Sequence, residues 1–171
     1  MIMAGPDVPA GKTVDEVVSL VDLYPTILEA LGENAPKGEA DRPGASLLQI
    51  ASGITPERTV LSEYHAGGSI TGSFMVRNGK WKYMHHVGYA PQLFDLESDP
   101  LELNDLGKDA DHATVRSECE ALLRKVVDPD AANAQAFTDQ EAKIESHGGV
   151  EAVIKRGHFA EHSMDRRLGV E

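Results

Sequence analysis

The stretch QLFDLESDPLELNDL, residues 92–106, holds the densest group of side chains that could do chemistry in this sequence. Its carboxylates are Asp95, Glu97, Asp99, Glu102 and Asp105. Clustered carboxylates can ligate a metal ion, act as general acid and base, or form the solvated edge of a turn. An EF-hand calcium loop needs glycine at its sixth position and glutamate at its twelfth, and this spacing supplies neither. Because Ser98-Asp99-Pro100 is typical of a turn that the surrounding leucines would anchor, we interpret the stretch as structural.

Histidines offer a second route to metal or acid–base chemistry. His85 and His86 are adjacent on a predicted strand, so their side chains point to opposite faces and cannot chelate one ion. His65 differs, because it follows Glu63 at a strand end and precedes the loop AGGSITG, where polar side chains can project into a cleft. That loop lacks the lysine and the full glycine spacing of a phosphate-binding loop. Glu63 and His65 are therefore either site residues or ordinary polar residues at a strand end.

Nucleophilic catalysis finds little support in the residues. Cys119 falls on the apolar stripe of a predicted helix, where a free cysteine usually behaves as a small hydrophobic residue. The sequence contains neither a G-x-S-x-G elbow nor an H-E-x-x-H pair. The residues by themselves predict a soluble α+β domain without a complete active site.

Composition limits the partners of the chain. Its 171 residues, 41% of them apolar, suffice for one domain of ordinary size. With 28 acidic and 16 basic side chains the net charge is −12, so nucleic acid and anionic membranes are poor partners. No apolar run approaches the roughly 20 residues that a membrane span requires. The lone cysteine cannot form an internal disulfide, which favours a cytoplasmic location.

The elements that must position these residues begin with a short apolar run. MIMA, residues 1–4, predicts a buried strand that ends at a Gly-Pro turn. Apolar residues at helical spacing predict a helix over residues 22–31, with Asp22 as its cap and Gly32 as its stop. A long loop follows over residues 33–57 and contains one helical turn at residues 46–52.

The middle of the chain predicts a small antiparallel sheet. RTVLSEY, SFMVRN, KWKYMHH and QLFDL are rich in branched or aromatic residues, and Asn78-Gly79 between the second and third is a strong hairpin signal. The predicted fold class is therefore α+β, with a small antiparallel sheet of about four strands packed with helices.

Three helices are predicted to close the chain. ATVRSECEALLRKVV carries an apolar stripe, and Asp111 is its predicted cap. Asp128-Pro129 should end this helix and begin the next, because aspartate suits a cap and proline suits the first helical position. The second helix should run to Gly148-Gly149 and the third over residues 150–156, before a polar tail.

The order of these elements resembles the C-terminal portion of a type I sulfatase of the alkaline-phosphatase-like superfamily, over residues 1–125. The DLYPT helix, the RNGKWKY hairpin and the L-F-D-L-x-x-D-P-x-E-x-x-D-L turn carry the resemblance. Within the family the sequence resembles choline-sulfatase-like enzymes. The resemblance implies the end of the sulfatase α/β core at residues 1–57, an antiparallel sheet subdomain with a helix at 58–127, and C-terminal helices and tail at 128–171.

Enzymes of this family hydrolyse sulfate esters with a formylglycine, made from Cys or Ser in a C/S-x-P-x-R motif, beside a divalent metal that is usually calcium. Here Cys119 is followed by Glu-Ala-Leu, and no serine is followed by x-P-x-R. Calcium and formylglycine are therefore expected only in a full-length enzyme, and this chain should be inactive alone. The resemblance implies that the chain walls one side of the cleft that binds a small-molecule sulfate ester. Glu63, Tyr64 and His65, at the strand end, are the candidates to contact the organic part of that ester. A carboxylate beside an aromatic ring would suit a cation such as choline.

Two alternatives stay open. The chain could be a non-catalytic interaction module derived from a sulfatase, and bared apolar surface would then favour a homo-oligomer. A related specificity, for phosphate monoesters or diesters or for phosphonates, is also left open by the sequence, because the discriminating residues would lie in the missing part.

Overall fold

The structure is a computed structural model that describes residues 1–6, 8–39, 42–54, 58–65 and 68–156. Its helices are α1 (Leu23–Leu31), α2 (Leu47–Ser52), α3 (Ala113–Val126), α4 (Pro129–Ser146) and α5 (Gly149–Lys155), with 3₁₀ turns at Leu20–Asp22 and Ala110–His112. Its strands are β1 (Val60–Tyr64), β2 (Ser73–Asn78), β3 (Trp81–His86) and β4 (Gln92–Asp95). Each helical segment predicted from residue 22 onward is present. The polar tail lies outside the described residues.

The four strands form one antiparallel sheet in the order β1-β2-β3-β4, which confirms the predicted α+β fold. β2 and β3 form the predicted hairpin, in which Asn78 pairs with Trp81 across the turn. Gly79 in that turn has a φ of 54°, in the left-handed region where a residue without a Cβ has no steric penalty. The edge strands of the sheet are therefore β1 and β4.

One face of the sheet and helix α3 enclose the core. Side chains that alternate along the strands point toward α3, which contacts β2 and β3. The core side chains are Phe74, Val76, Tyr83, Leu93, Cys119 and Leu123. Burial raises the pKa of Tyr83 to about 12, as expected for a phenol taken out of water.

The caps of α3 and α4 differ in how well local sequence predicted them. Asp111 does not cap α3, because a 3₁₀ turn precedes the helix and Asp109 is the last residue with extended backbone before that turn. The carboxylate of Asp109 therefore accepts the N–H of Asp111, at 3.0 Å. At α4 the prediction is confirmed, since Asp128 accepts the N–H groups of Asp130 and Ala131 at 3.0 and 3.3 Å.

The N-terminal expectations are partly wrong. Residues 1–4 form no strand, and the side chains of Met1 and Ile2 are 70% and 97% exposed. A strand needs a neighbour for its main-chain hydrogen bonds, and the described residues offer this segment none. Asp22 stands at the cap position of α1, but its carboxylate makes no capping bond there and is turned toward Arg58. Gly32 ends α1 with a φ of 69°, as predicted.

Candidate functional site

The three candidate residues lie at the exit of edge strand β1. Glu63 pairs with Phe74 and Tyr64 pairs with Ser73, so the two side chains project from opposite faces of the strand. His65 follows the strand and returns to the Glu63 face, where its Nε2 lies 3.8 Å from Oε2 of Glu63. The structure thus brings Glu63 and His65 together and places the half-exposed Tyr64 on the other face.

The imidazole of His65 is held against the core rather than free in solvent. It meets the ring of Phe74 edge to face, with the ring centroids 5.3 Å apart. Its Nδ1 is buried and has no hydrogen-bond partner among the described residues. A buried nitrogen without a hydrogen-bond partner costs free energy, so a polar group placed beside this atom would form a stabilising hydrogen bond.

Beside this ring is a cleft between the β1–β2 connection and α4. Its volume is about 20 Å³, enough for one water-sized group. Its polar lining includes His65, Ser69, Thr71, Asn133 and Gln140. Such a cleft can complete the hydrogen bonding of one imidazole but cannot enclose a whole sugar or choline molecule.

Two side chains of α4 reach this connection, and no pattern in the sequence indicated either of them. Oδ1 of Asn133 accepts the N–H of Gly72, at 2.6 Å. Nε2 of Gln140 donates to the carbonyl oxygen of His65, at 3.1 Å. These pairs are separated by 61 and 75 residues and belong to no periodic pattern, so only the packing of α4 reveals them.

The acidic stretch is structural, as predicted. Asp95 accepts the ammonium group of Lys80 at 2.7 Å, and this bond holds the pKa of Asp95 below its ordinary value. Asp99 accepts the N–H groups of Leu103 and Asn104, at 3.0 and 2.8 Å. Main-chain and lysine donors therefore occupy these oxygens and fold the turn.

Asp105 completes the turn by binding it to strand β4. Its Oδ1 accepts the N–H groups of Leu93 and Gly107, at 3.1 and 2.8 Å. The residues present therefore do not fit a calcium site. Within the described ranges no group of three or more His, Cys, Asp or Glu side chains could hold a metal ion.

The two histidines of β3 and the single cysteine make contacts within the sheet and the core. Nδ1 of His86 lies 2.9 Å from the hydroxyl of Ser73, whereas His85 lies on the opposite face near the ring of Phe74. Burial lowers the pKa of His85 and raises the pKa of the Cys119 thiol. Cys119 is 2% exposed, so its predicted role as a small core residue is confirmed.

A four-stranded antiparallel sheet packed with helices agrees with the fold of the C-terminal part of a sulfatase. Residues 1–128 match the model of the family described as N-sulphoglucosamine sulphohydrolase, C-terminal, and the chain belongs to this family. The resemblance to sulfatases, including choline-sulfatase-like enzymes, is thereby confirmed.

Relatives and solved structures agree with this family. The chain is 33% identical over 138 residues to arylsulfatase K of Xenopus laevis, covering 75% of this chain and 25% of that protein. It is 34% identical over 108 residues to choline-sulfatase of Rhizobium meliloti, covering 63% and 21%. The solved 2-O GAG sulfatase BT1596 superimposes with a TM-score of 0.61 at 29% identity, covering 81% of this chain and 30% of that one. The chain thus spans about a quarter of the length of these relatives.

These relatives correct the expected location. A cytoplasmic site was predicted from the single cysteine, but the arylsulfatase K relatives are sulfatases of the lysosome or endoplasmic reticulum. One cysteine is a weak indicator, because a domain with a sufficient core needs no disulfide in any compartment. Across the part of the chain that the structure describes, every helix is too short or too polar to cross a membrane.

Proposed function

We propose that this chain is the C-terminal part of a sulfatase-type hydrolase of sulfate esters and walls one side of its substrate cleft. Sulfatases generally use a formylglycine and calcium, and neither the sequence nor the acidic turn of this chain fits these groups. Both would come from a preceding part of the protein, so the chain alone should be inactive. The proposed division is the end of the α/β core at 1–57, the sheet subdomain at 58–127, and the final helices and tail at 128–171.

The observation that carries this role is the Glu63–His65 pair at the exit of an edge strand. The half-exposed carboxylate of Glu63 and the imidazole of His65 lie 3.8 Å apart at their nearest atoms. Nδ1 of the same imidazole is buried and has no hydrogen-bond partner in the part of the chain that the structure describes. Such a pair can bind a hydroxyl or cationic group of the organic part of an ester. Tyr64 projects from the other face of the same strand end, so it would contact only a substrate that extends around the edge of β1. Its ring would suit a cation such as choline.

The first test is the reading frame upstream of the Met1 codon. A frame that continues through a C/S-x-P-x-R motif supports the proposal, and the full-length protein can then be assayed with sulfate, phosphate and phosphonate esters. An in-frame stop directly upstream would contradict the proposal and favour a module without its own nucleophile.

The second test measures the role of Glu63 in that full-length enzyme. We expect Glu63→Gln to raise KM about tenfold with little change in kcat, because a charge-assisted bond to the bound ester is lost. Glu118→Gln, which changes an exposed carboxylate on α3, is the matched control and should leave both constants unchanged. An unchanged KM in Glu63→Gln would remove the substrate role.

A non-catalytic interaction module is a second candidate, favoured by exposed apolar side chains near the N-terminus. They include Ile2, Leu20, Ile27 and Leu31, and a groove of about 360 Å³ lies between residues 1–18 and α2. In a full-length sulfatase the rest of the enzyme would cover this surface, whereas an isolated chain would bury it against a second copy. Light scattering distinguishes these cases, since a stable monomer would count against self-association.

A further inference from the structure

We propose that Asn133 and Gln140 of α4 are positioning residues that hold His65 and Gly72 in the arrangement that binds the ester. This inference rests on the proposed function, because it assumes that His65 contacts substrate. The family match ends at residue 128, and α4 begins at Pro129. The inference therefore gives a role to a helix that lies outside the matched residues.

The two contacts hold the two residues that border the β1–β2 connection. His65 begins the connection between β1 and β2, and its carbonyl oxygen accepts Nε2 of Gln140. Gly72 ends the connection, and its N–H donates to Asn133. Because Asn133 and Gln140 are seven residues apart, they lie on one face of α4 at a spacing of about 10 Å.

The helix that provides these contacts is itself anchored. Asp128 caps it, Pro129 at its first position is buried, and Ala132 packs against the core cluster. The backbone of this first turn is therefore held in place relative to the sheet. Asn133 follows it directly, and its side chain positions Gly72 through a 2.6 Å hydrogen bond.

Gly72 makes the arrangement specific for the imidazole. A Cβ at residue 72 would lie 2.8 Å from Cε1 and 3.0 Å from Nδ1 of His65, and 3.1 Å from Oδ1 of Asn133. The backbone of Gly72 is outside the left-handed region, so alanine would be tolerated there on conformational grounds. Glycine is thus required because a larger side chain would overlap the imidazole. Gly72→Ala should displace the ring of His65 while leaving the His65 residue itself unchanged.

The experiment compares variants of the full-length enzyme by two readouts, hydrogen exchange of the Gly72 amide and the steady-state constants. Asn133→Ala should speed the exchange and raise KM about fivefold, the equivalent of one neutral hydrogen bond, with kcat little changed. Asn133→Asp should restore both values, because a carboxylate oxygen accepts the same N–H. Gln135→Ala removes an exposed bond to Asp139 on the same helix and should change neither.

Gly72→Ala and His65→Ala decide between the remaining outcomes. Gly72→Ala should raise KM as His65→Ala does, while its Tm stays near that of the parent enzyme, so it remains informative if Asn133→Ala fails to fold. If His65→Ala raises KM but Gly72→Ala leaves it unchanged, or Asn133→Ala folds and leaves it unchanged, the positioning role is wrong and the proposed function survives. If His65→Ala itself leaves KM unchanged, the proposed substrate role fails and the inference fails with it.

Discussion

Asp22 and Arg58 form a two-point ion pair, in which Oδ1 and Oδ2 of the carboxylate each lie 2.8 Å from a guanidinium nitrogen. The carboxylate is fully buried and the arginine side chain is 18% exposed. Asp22 also accepts the N–H groups of Ser19 and Ala45, at 2.7 and 2.9 Å. One side chain therefore connects the start of α1, the loop before α2 and the residue that leads into β1.

Asp22→Asn should lower the free energy of unfolding by about 3 kcal/mol, because it leaves the Arg58 charge without its buried partner. Urea denaturation of the protein gives this value. Arg42→Ala is the matched control, since Arg42 and Glu39 form an exposed pair at 3.1 Å that should contribute less than about 1 kcal/mol. Equal effects of the two substitutions would contradict the special role of Asp22.

The same carboxylate should make stability depend on pH in the acid range. Burial by itself raises the pKa of Asp22, but the bonds from Arg58, Ser19 and Ala45 outweigh burial and leave the pKa below 3.8. A depressed folded-state pKa stabilises the protein above pH 3.8, and this contribution is lost as the pH falls through the lower folded-state value. The difference in unfolding free energy between the parent and Asp22→Asn should therefore shrink as the pH falls below about 4. A difference that stays constant from neutral to strongly acid pH would contradict this assignment.

Cys119 should be inert in the folded protein, because burial both shields the thiol and raises its pKa. A thiol reagent such as Ellman's reagent should react slowly with the native protein at neutral pH and rapidly in urea. The urea sample is the internal control that the thiol is intact. Fast reaction of the native protein would mean that α3 leaves the sheet readily.

Asp105→Ala should lower the free energy of unfolding by about 1 to 2 kcal/mol, because the N–H of the buried Leu93 loses its acceptor. Glu97→Ala, an exposed change within the same acidic stretch, should have little effect. Added calcium should leave the Tm of this chain unchanged, since the oxygens of the turn already accept protein donors. A calcium-dependent rise in Tm would restore the metal-site interpretation.

Short-range patterns in the sequence were enough to predict most elements of this fold. Asn78-Gly79 predicted the hairpin because two residues with the required backbone conformation suffice to reverse a strand. Asp128-Pro129 predicted a helix boundary because the cap and first position are satisfied by adjacent residues. The DLYPT helix, the hairpin and the acidic turn, taken in order, predicted the sulfatase family that the comparisons confirm. Each of these signals depends on residues that are neighbours in the chain.

Only the tertiary structure decided which polar side chains meet. Asp22 was predicted to cap a helix, but a guanidinium 36 residues away forms stronger, charge-assisted bonds with it. Likewise, His65 was recognised as a candidate, whereas Asn133 and Gln140 were not. A polar side chain carries no periodic signal for a distant partner, and the packing of α4 alone determines that these donors and acceptors come within hydrogen-bonding distance.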